Sequence, residues 1–94
     1  MNEEAAFAQL YRSHYAQVRG LCRHLLGSPA RGEDAAQETF LRAYRSFASY
    51  DRGQPFAGWI MSIARHHCLD LLRRRSTETA LFGTEADEAA GTAA

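Results

Sequence analysis

Residues 56–75 read FAGWIMSIARHHCLDLLRRR, and this stretch decides the fold. It holds no proline and no glycine after Gly58, so it can run as one helix of about five turns at roughly 3.6 residues per turn. At that period Phe56, Ile60, Ile63, Ala64, His67 and Leu71 fall on one side. Gly58, Ser62, Arg65, His66, Leu69 and Arg73 fall on the other. The first side is a core face. The second carries polar groups of hydrogen-bonding length and leads into Arg73, Arg74 and Arg75. These cations suit the negative end of the helix dipole, and they also suit a nucleic-acid backbone.

Toward the N-terminus, Phe7, Leu10, Tyr11, His14, Val18, Leu21, Cys22 and Leu25 recur at three- and four-residue steps. That pattern predicts a helix over residues 3–26, capped by Asn2, with Glu3 and Glu4 in the first turn where the dipole favours acids. Gly20 interrupts it and suggests a close helix contact. Gly27-Ser28-Pro29 ends it.

Ser28 can cap a second helix with Pro29 at its first position. Gly32 leaves two starts open: a short helix at Pro29–Arg31 with the main one from Glu33, or one continuous helix. Ala36, Phe40, Ala43 and Phe47 form its buried stripe. Asp34, Gln37, Glu38, Leu41, Tyr44 and Arg45 lie mostly outside that stripe, and acids mixed with Leu and Tyr on an outer surface are a partner-binding composition. The plainer reading is that Leu41 and Tyr44 cover core edges.

Residues 46–55, SFASYDRGQP, break the period. Asp51, Arg52, Gly53 and Pro55 form turns, while Phe47, Tyr50 and Phe56, followed by Trp59, keep the loop aromatic. Such a loop can stack on unpaired bases. Equally, its rings can pin it to the helices. After Arg75 the pattern dissolves into a small, acidic, Gly/Thr/Ala-rich segment over 76–94, read as a linker or tail.

The 94 residues make one small domain, or a piece of a larger protein. Net charge is zero, but residues 1–75 hold all eleven arginines against seven acids, and residues 76–94 hold four acids and no base. A basic body thus precedes an acidic tail. There is no lysine, so every cation is a planar fork. The acidic start MNEEAAF is not a signal peptide, and no apolar run reaches membrane length. Cys22 and Cys68 read as buried free thiols of a reducing cytosol.

Phosphate loops, nucleophile elbows and HExxH are missing, and no paired carboxylates face a pocket, so no catalytic residue, cofactor or enzyme activity is expected. Cys22 and His24 with His66, His67 and Cys68 would make a zinc site only if the first and third long helices met, and their spacing is not that of a structural site. No metal is expected. His67 reads as a core histidine with its hydrogen bonds satisfied.

Three blocks together carry a family resemblance. They are Glu33-Asp34-Ala35-Ala36-Gln37-Glu38-Thr39-Phe40 with Ala43-Tyr44, the aromatic loop ending at Pro55-Phe56, and Trp59-Ile60 through Ile63-Ala64-Arg65 to Asp70 and Leu72-Arg73-Arg74-Arg75. They resemble region 2 of the extracytoplasmic-function (ECF) class of bacterial sigma factors over about residues 5–75. The order and spacing of the blocks make this specific. The resemblance implies an all-α bundle of three main helices in a cytoplasmic bacterial protein. It implies that Asp34, Gln37, Glu38, Leu41 and Tyr44 bind the β′ clamp helices of RNA polymerase core.

Promoter DNA, as the single-stranded non-template −10 strand, would be held by the loop and the last helix. The residues implied are Phe47, Tyr50, Asp51, Arg52, Gln54, Phe56, Trp59, Ser62, Arg65, His66, Arg73 and Arg74. A base taken out of the stack would enter the loop, and arginines would hold phosphates. An anti-sigma factor is an implied further partner. Two departures stand out. His66 occupies a position where the family commonly has Asn. Nothing after Arg75 has the pattern of region 4, so the reading is an isolated region 2 over 1–75 with an acidic tail over 76–94. The alternative is a sigma-like interaction module that binds polymerase or an anti-sigma factor without reading DNA.

Overall fold

The computed structural model describes residues 2–82. The chain forms α1 (Glu3–Leu26), α2 (Pro29–Arg45), a 3-10 turn (Phe47–Ser49) and α3 (Phe56–Phe82). Each start has a chemical cause. Asn2 Oδ1 accepts from the Ala5 N–H at 2.7 Å, and Glu3 and Glu4 follow in the first turn. Gly27, at φ 68°, ends α1 with its N–H on the Arg23 carbonyl at 2.9 Å. One residue later Ser28 Oγ accepts from the Arg31 N–H at 3.2 Å, with Pro29 in the first turn of α2. The region 29–31 is therefore the first turn of α2 and not a separate helix.

That tight join makes α1 and α2 antiparallel neighbours. Where they meet, Gly32 is buried, and a Cβ built there would lie 2.7 Å from the Arg23 Cα. Gly32 is thus the close-contact glycine. Gly20 is exposed with nothing near its missing Cβ, which corrects the expectation placed on it.

All three helices contribute to the core. Val18 and Cys22 of α1, Ala36, Thr39 and Ala43 of α2, and Ile60, Ala64 and Cys68 of α3 are fully buried. Thr39 is tolerated there because its hydroxyl donates to the Ala35 carbonyl at 2.7 Å. Both cysteines are free and buried. Burial first, then a hydrogen bond with Cys68, pushes the Cys22 thiol up to about 12; burial also raises Cys68. Neither is a reactive thiolate.

At the other end of the bundle Phe7 is the hub of an aromatic cluster. Its ring lies edge-on to Phe47 at 5.1 Å, Phe40 at 6.3 Å and Phe56 at 6.4 Å. Edge-to-face packing of this kind adds about 0.5–1.5 kcal/mol per pair beyond burial.

α3 continues to Phe82, past the Arg75 end that the fading apolar pattern suggested. No proline or glycine occurs between Gly58 and Gly83, so nothing breaks the backbone ladder. The first part of the proposed tail, residues 76–82, is helical; the rest of it lies outside the described residues. No described helix is long and apolar enough to cross a membrane.

Candidate functional site

Two surfaces gather the expected residues. The first is an open groove of about 440 Å³ between α1 and α2. Asp34, Gln37, Glu38, Leu41 and Tyr44 all line it, with Phe7, Tyr11 and Phe40 as its apolar floor. Leu41 and Tyr44 keep 45% and 46% of their surface in solvent, so they do more than close the core edge.

The charges along the groove are set locally. Glu38 accepts from Arg42 Nε at 2.9 Å one turn on, and that bond holds its carboxyl below the usual carboxylate range. Gln37 stays exposed but is tied across to α1, because its Nε2 donates to Tyr15 Oη at 3.3 Å. Tyr15 in turn donates to Glu33 Oε1 at 2.6 Å. Burial and then this bond push the Tyr15 hydroxyl up to about 12, which keeps it a neutral donor. Asp34 remains exposed at the groove edge.

The second surface runs from the loop onto α3. Four rings meet there. Tyr50 lies 4.7 Å from Trp59 and 5.6 Å from Phe56, and Phe47 stacks on Tyr50 at 6.0 Å. Tyr50 and Trp59 are partly exposed. Phe47 and Phe56 are only 3% and 7% exposed. These two rings therefore support the loop from within the core, as their places on the apolar stripes indicated, and of the four rings Tyr50 and Trp59 are the ones open to a strand. Covering them removes more apolar area from water than any exposed position would.

Asp51, Arg52 and Gln54 form the exposed tip. Asp51 Oδ1 accepts from the Gly53 N–H at 2.9 Å, and the Asp51 carbonyl accepts from the Gln54 N–H at 2.9 Å. Tyr50 Oη also donates to the Gln54 carbonyl. On α3, Ser62, Arg65, His66 and Arg73 are exposed and share one side of the helix. Arg73 stands about 21 Å along the axis from Trp59 at 1.5 Å per residue.

Arg74 is not on that side. It pairs with Asp70 at 3.1 Å and lines a cleft of about 550 Å³ between α3 and α2, together with Glu38 and His67. A step of one residue turns the helix by about 100°, which carries Arg74 away from Arg73. His67 is buried as expected, but its Nδ1 has no hydrogen-bond partner among the described residues, so it is not a satisfied core histidine. Burial, with Arg42 nearby, lowers its pKa.

Sequence reasoning missed three contributors. Phe7 and Tyr11 read as core positions, yet they floor the groove; nothing in a helical stripe separates a groove floor from a core. Glu3 read as a helix-dipole acid, yet it pairs with Arg52 at 3.1 Å.

Residues 10–78 match the family model described as Sigma-70 region 2. Among curated relatives, the chain is 32% identical over 76 residues to the ECF RNA polymerase sigma factor SigW of Bacillus subtilis, covering 81% of this chain and 41% of that protein. It is 40% identical over 67 residues to the ECF RNA polymerase sigma factor SigE of Mycolicibacterium smegmatis, covering 71% and 26%. It is 36% identical over 70 residues to the RNA polymerase sigma factor CarQ of Myxococcus xanthus, covering 74% and 40%. The chain thus spans less than half the length of these relatives. No solved structure matches it. With the family model covering the whole of α2, the loop and nearly all of α3, the chain belongs to the sigma-70 region 2 family, as the region 2 domain of an ECF sigma factor.

Proposed function

We propose that this domain recognises the promoter −10 element as single-stranded non-template DNA and does so when docked on RNA polymerase core. The groove between α1 and α2 would take the β′ clamp helices, with Leu41 and Tyr44 as apolar anchors and Asp34 and Glu38 as charged rim. An anti-sigma factor would compete for the same exposed anchors. The arginines Arg52, Arg65 and Arg73 would hold phosphates, and Tyr50 and Trp59 would stack on bases. Strand opening then follows from preferring unpaired bases, since tighter binding of the single strand shifts the duplex equilibrium.

The observation that carries this reading is the continuity of one surface. The partly exposed Tyr50 and Trp59 rings lead onto a helix side bearing Ser62, Arg65, His66 and Arg73. His66 is exposed there and offers either a donor or an acceptor, where an amide side chain would offer both at once. The test is selection of bound sequences from a randomised single-stranded −10 pool with the domain on polymerase core. A short enriched motif that changes in His66→Asn supports the proposal. Core binding without enrichment sinks it.

A second reading is an interaction module that binds polymerase or an anti-sigma factor without base readout. The burial of Phe47 and Phe56 favours it, because two of the four loop rings have a packing role already. Trp59→Ala together with Arg65→Ala separates the two: the interaction module keeps its full activity in that variant.

A further inference from the structure

The loop between α2 and α3 is held from two directions. From within, Tyr50 packs against Phe56 and Trp59. From without, the tie comes from the start of the chain. Arg52 Nη2 donates to Glu3 Oε1 at 3.1 Å across a separation of 49 residues. The same guanidinium lies over the Phe47 ring at 3.9 Å from its centroid and 5.4 Å from that of Tyr50. A cation this close to a ring face is attracted by its quadrupole. Arg52 thus joins the first turn of α1 to two loop aromatics.

Glu3 is well placed to hold such a tie. It is the first residue of α1, directly after the Asn2 cap whose side chain holds the Ala5 N–H, so the turn that displays the carboxylate is itself fixed. Glu3 and Arg52 both line an open hollow of about 280 Å³, with Asn2, Ala6 and Leu10 from the α1 end and Phe47 and Tyr50 from the loop side. The bonds at the loop tip are made within the loop itself: Gly53 to Asp51, Gln54 to Asp51 and Tyr50 to Gln54. The Arg52–Glu3 pair connects that tip to another helix.

We propose that Glu3 is a positioning residue for the base-reading loop, acting through Arg52, and that it tightens discrimination among unpaired bases without contacting DNA. The proposal rests on the −10 reading given above. Both side chains are more than half exposed, so the pair adds little to global stability. Its effect is local. It restricts the conformers of residues 51–54 before DNA arrives, and a loop ordered in advance loses less freedom on binding.

The test has two arms on the full 94-residue chain. In the protein alone, hydrogen exchange of the Gly53 and Gln54 amides is followed for the wild type, Glu3→Gln, Arg52→Gln and the double variant. Expected is a several-fold faster exchange at these amides in each single variant, no further increase in the double, and an unchanged melting temperature. Raising salt to 1 M should bring the wild type toward the variants, because screening then acts over about 3 Å. In complex with polymerase core, the preferred single-stranded oligonucleotide is compared with a scrambled one. Glu3→Gln should lower the affinity ratio about threefold or more, with the scrambled strand bound at least as tightly as by the wild type, because the released Arg52 stays available to phosphate.

Unchanged loop exchange in Glu3→Gln overturns the latch. Faster exchange with an unchanged ratio overturns the positioning role. A wild-type complex that shows no discrimination removes the base-reading premise, and that failure is distinct because the exchange arm uses no DNA.

Discussion

The Tyr44 ring meets the Phe7 ring edge-on at 5.2 Å while nearly half of Tyr44 stays in solvent. Tyr44 is therefore oriented by the core but not consumed by it. A pre-oriented, half-exposed aromatic beside Leu41 is the composition of an interface anchor. Leu41→Glu and Tyr44→Ala are each expected to weaken binding to isolated β′ clamp helices by at least tenfold, which is about 1.4 kcal/mol. Unfolding midpoints should move little for Leu41→Glu. Titration calorimetry beside urea melts checks both, and a large stability loss with intact binding would return Leu41 to a packing role.

Arg65 and Arg73 sit exposed on the side of α3 that carries His66. If each neutralises one phosphate, removing either should reduce the salt slope of single-strand binding by about 0.7 and weaken every sequence alike. Arg74, paired with Asp70 and turned into the α2 cleft, should leave the slope unchanged when mutated. Anisotropy titrations across a salt series, with polymerase core present, measure this. Equal slope changes for Arg73→Ala and Arg74→Ala would contradict the facing described.

Gly32 and Gly20 make an internal comparison. Ala at Gly32 would press on the Arg23 backbone, with Cβ contacts of 2.7 and 2.8 Å, and one helix must shift. A loss of about 1–3 kcal/mol is expected. Ala at Gly20 meets nothing within 4 Å and should add up to about 1 kcal/mol through helix propensity. Denaturant unfolding of the two variants should move in opposite directions.

His67 predicts an acid-sensitive fold. Its folded pKa lies below the usual histidine value because burial opposes the charged form. As pH falls below about 6.5 the unfolded chain takes up a proton that the folded one resists, so stability falls. His67→Leu removes that dependence. It also removes the unpartnered Nδ1, whose burial costs about 1–3 kcal/mol where nothing satisfies it. Urea melts should show His67→Leu at least as stable at pH 8 and increasingly favoured toward pH 5.5. Glu38, whose lowered pKa adds stability that is lost only at more acidic pH, does not act in this window. A wild type whose stability is flat from pH 8 to 5.5 would contradict the assignment.

Helix existence, type and caps were legible in the residues alone, because they depend on neighbours within one turn. Asn2, Gly27, Ser28 and Pro29 act on groups no more than four residues away, and the apolar stripes repeat at the period of the backbone itself. The five groove residues were legible for the same reason: one outer side of α2 carries them.

What needed the tertiary structure were the relations between elements. Stripe membership placed Phe47 and Phe56 in the core, but it could not tell that Tyr50 and Trp59 would stay partly open, since burial depends on what lies opposite. Gly20 and Gly32 look alike in sequence, and only the crossing of α1 and α2 makes Gly32 the contact. The sequence by itself determined a three-helix region 2 domain with an acidic and apolar side on α2 and a cationic side on α3. The packing of α1 against the loop decided that Glu3 would meet Arg52 across 49 residues. Local periodicity carries no information about such a pair, because its energy is earned only once distant segments have already been brought together by the core.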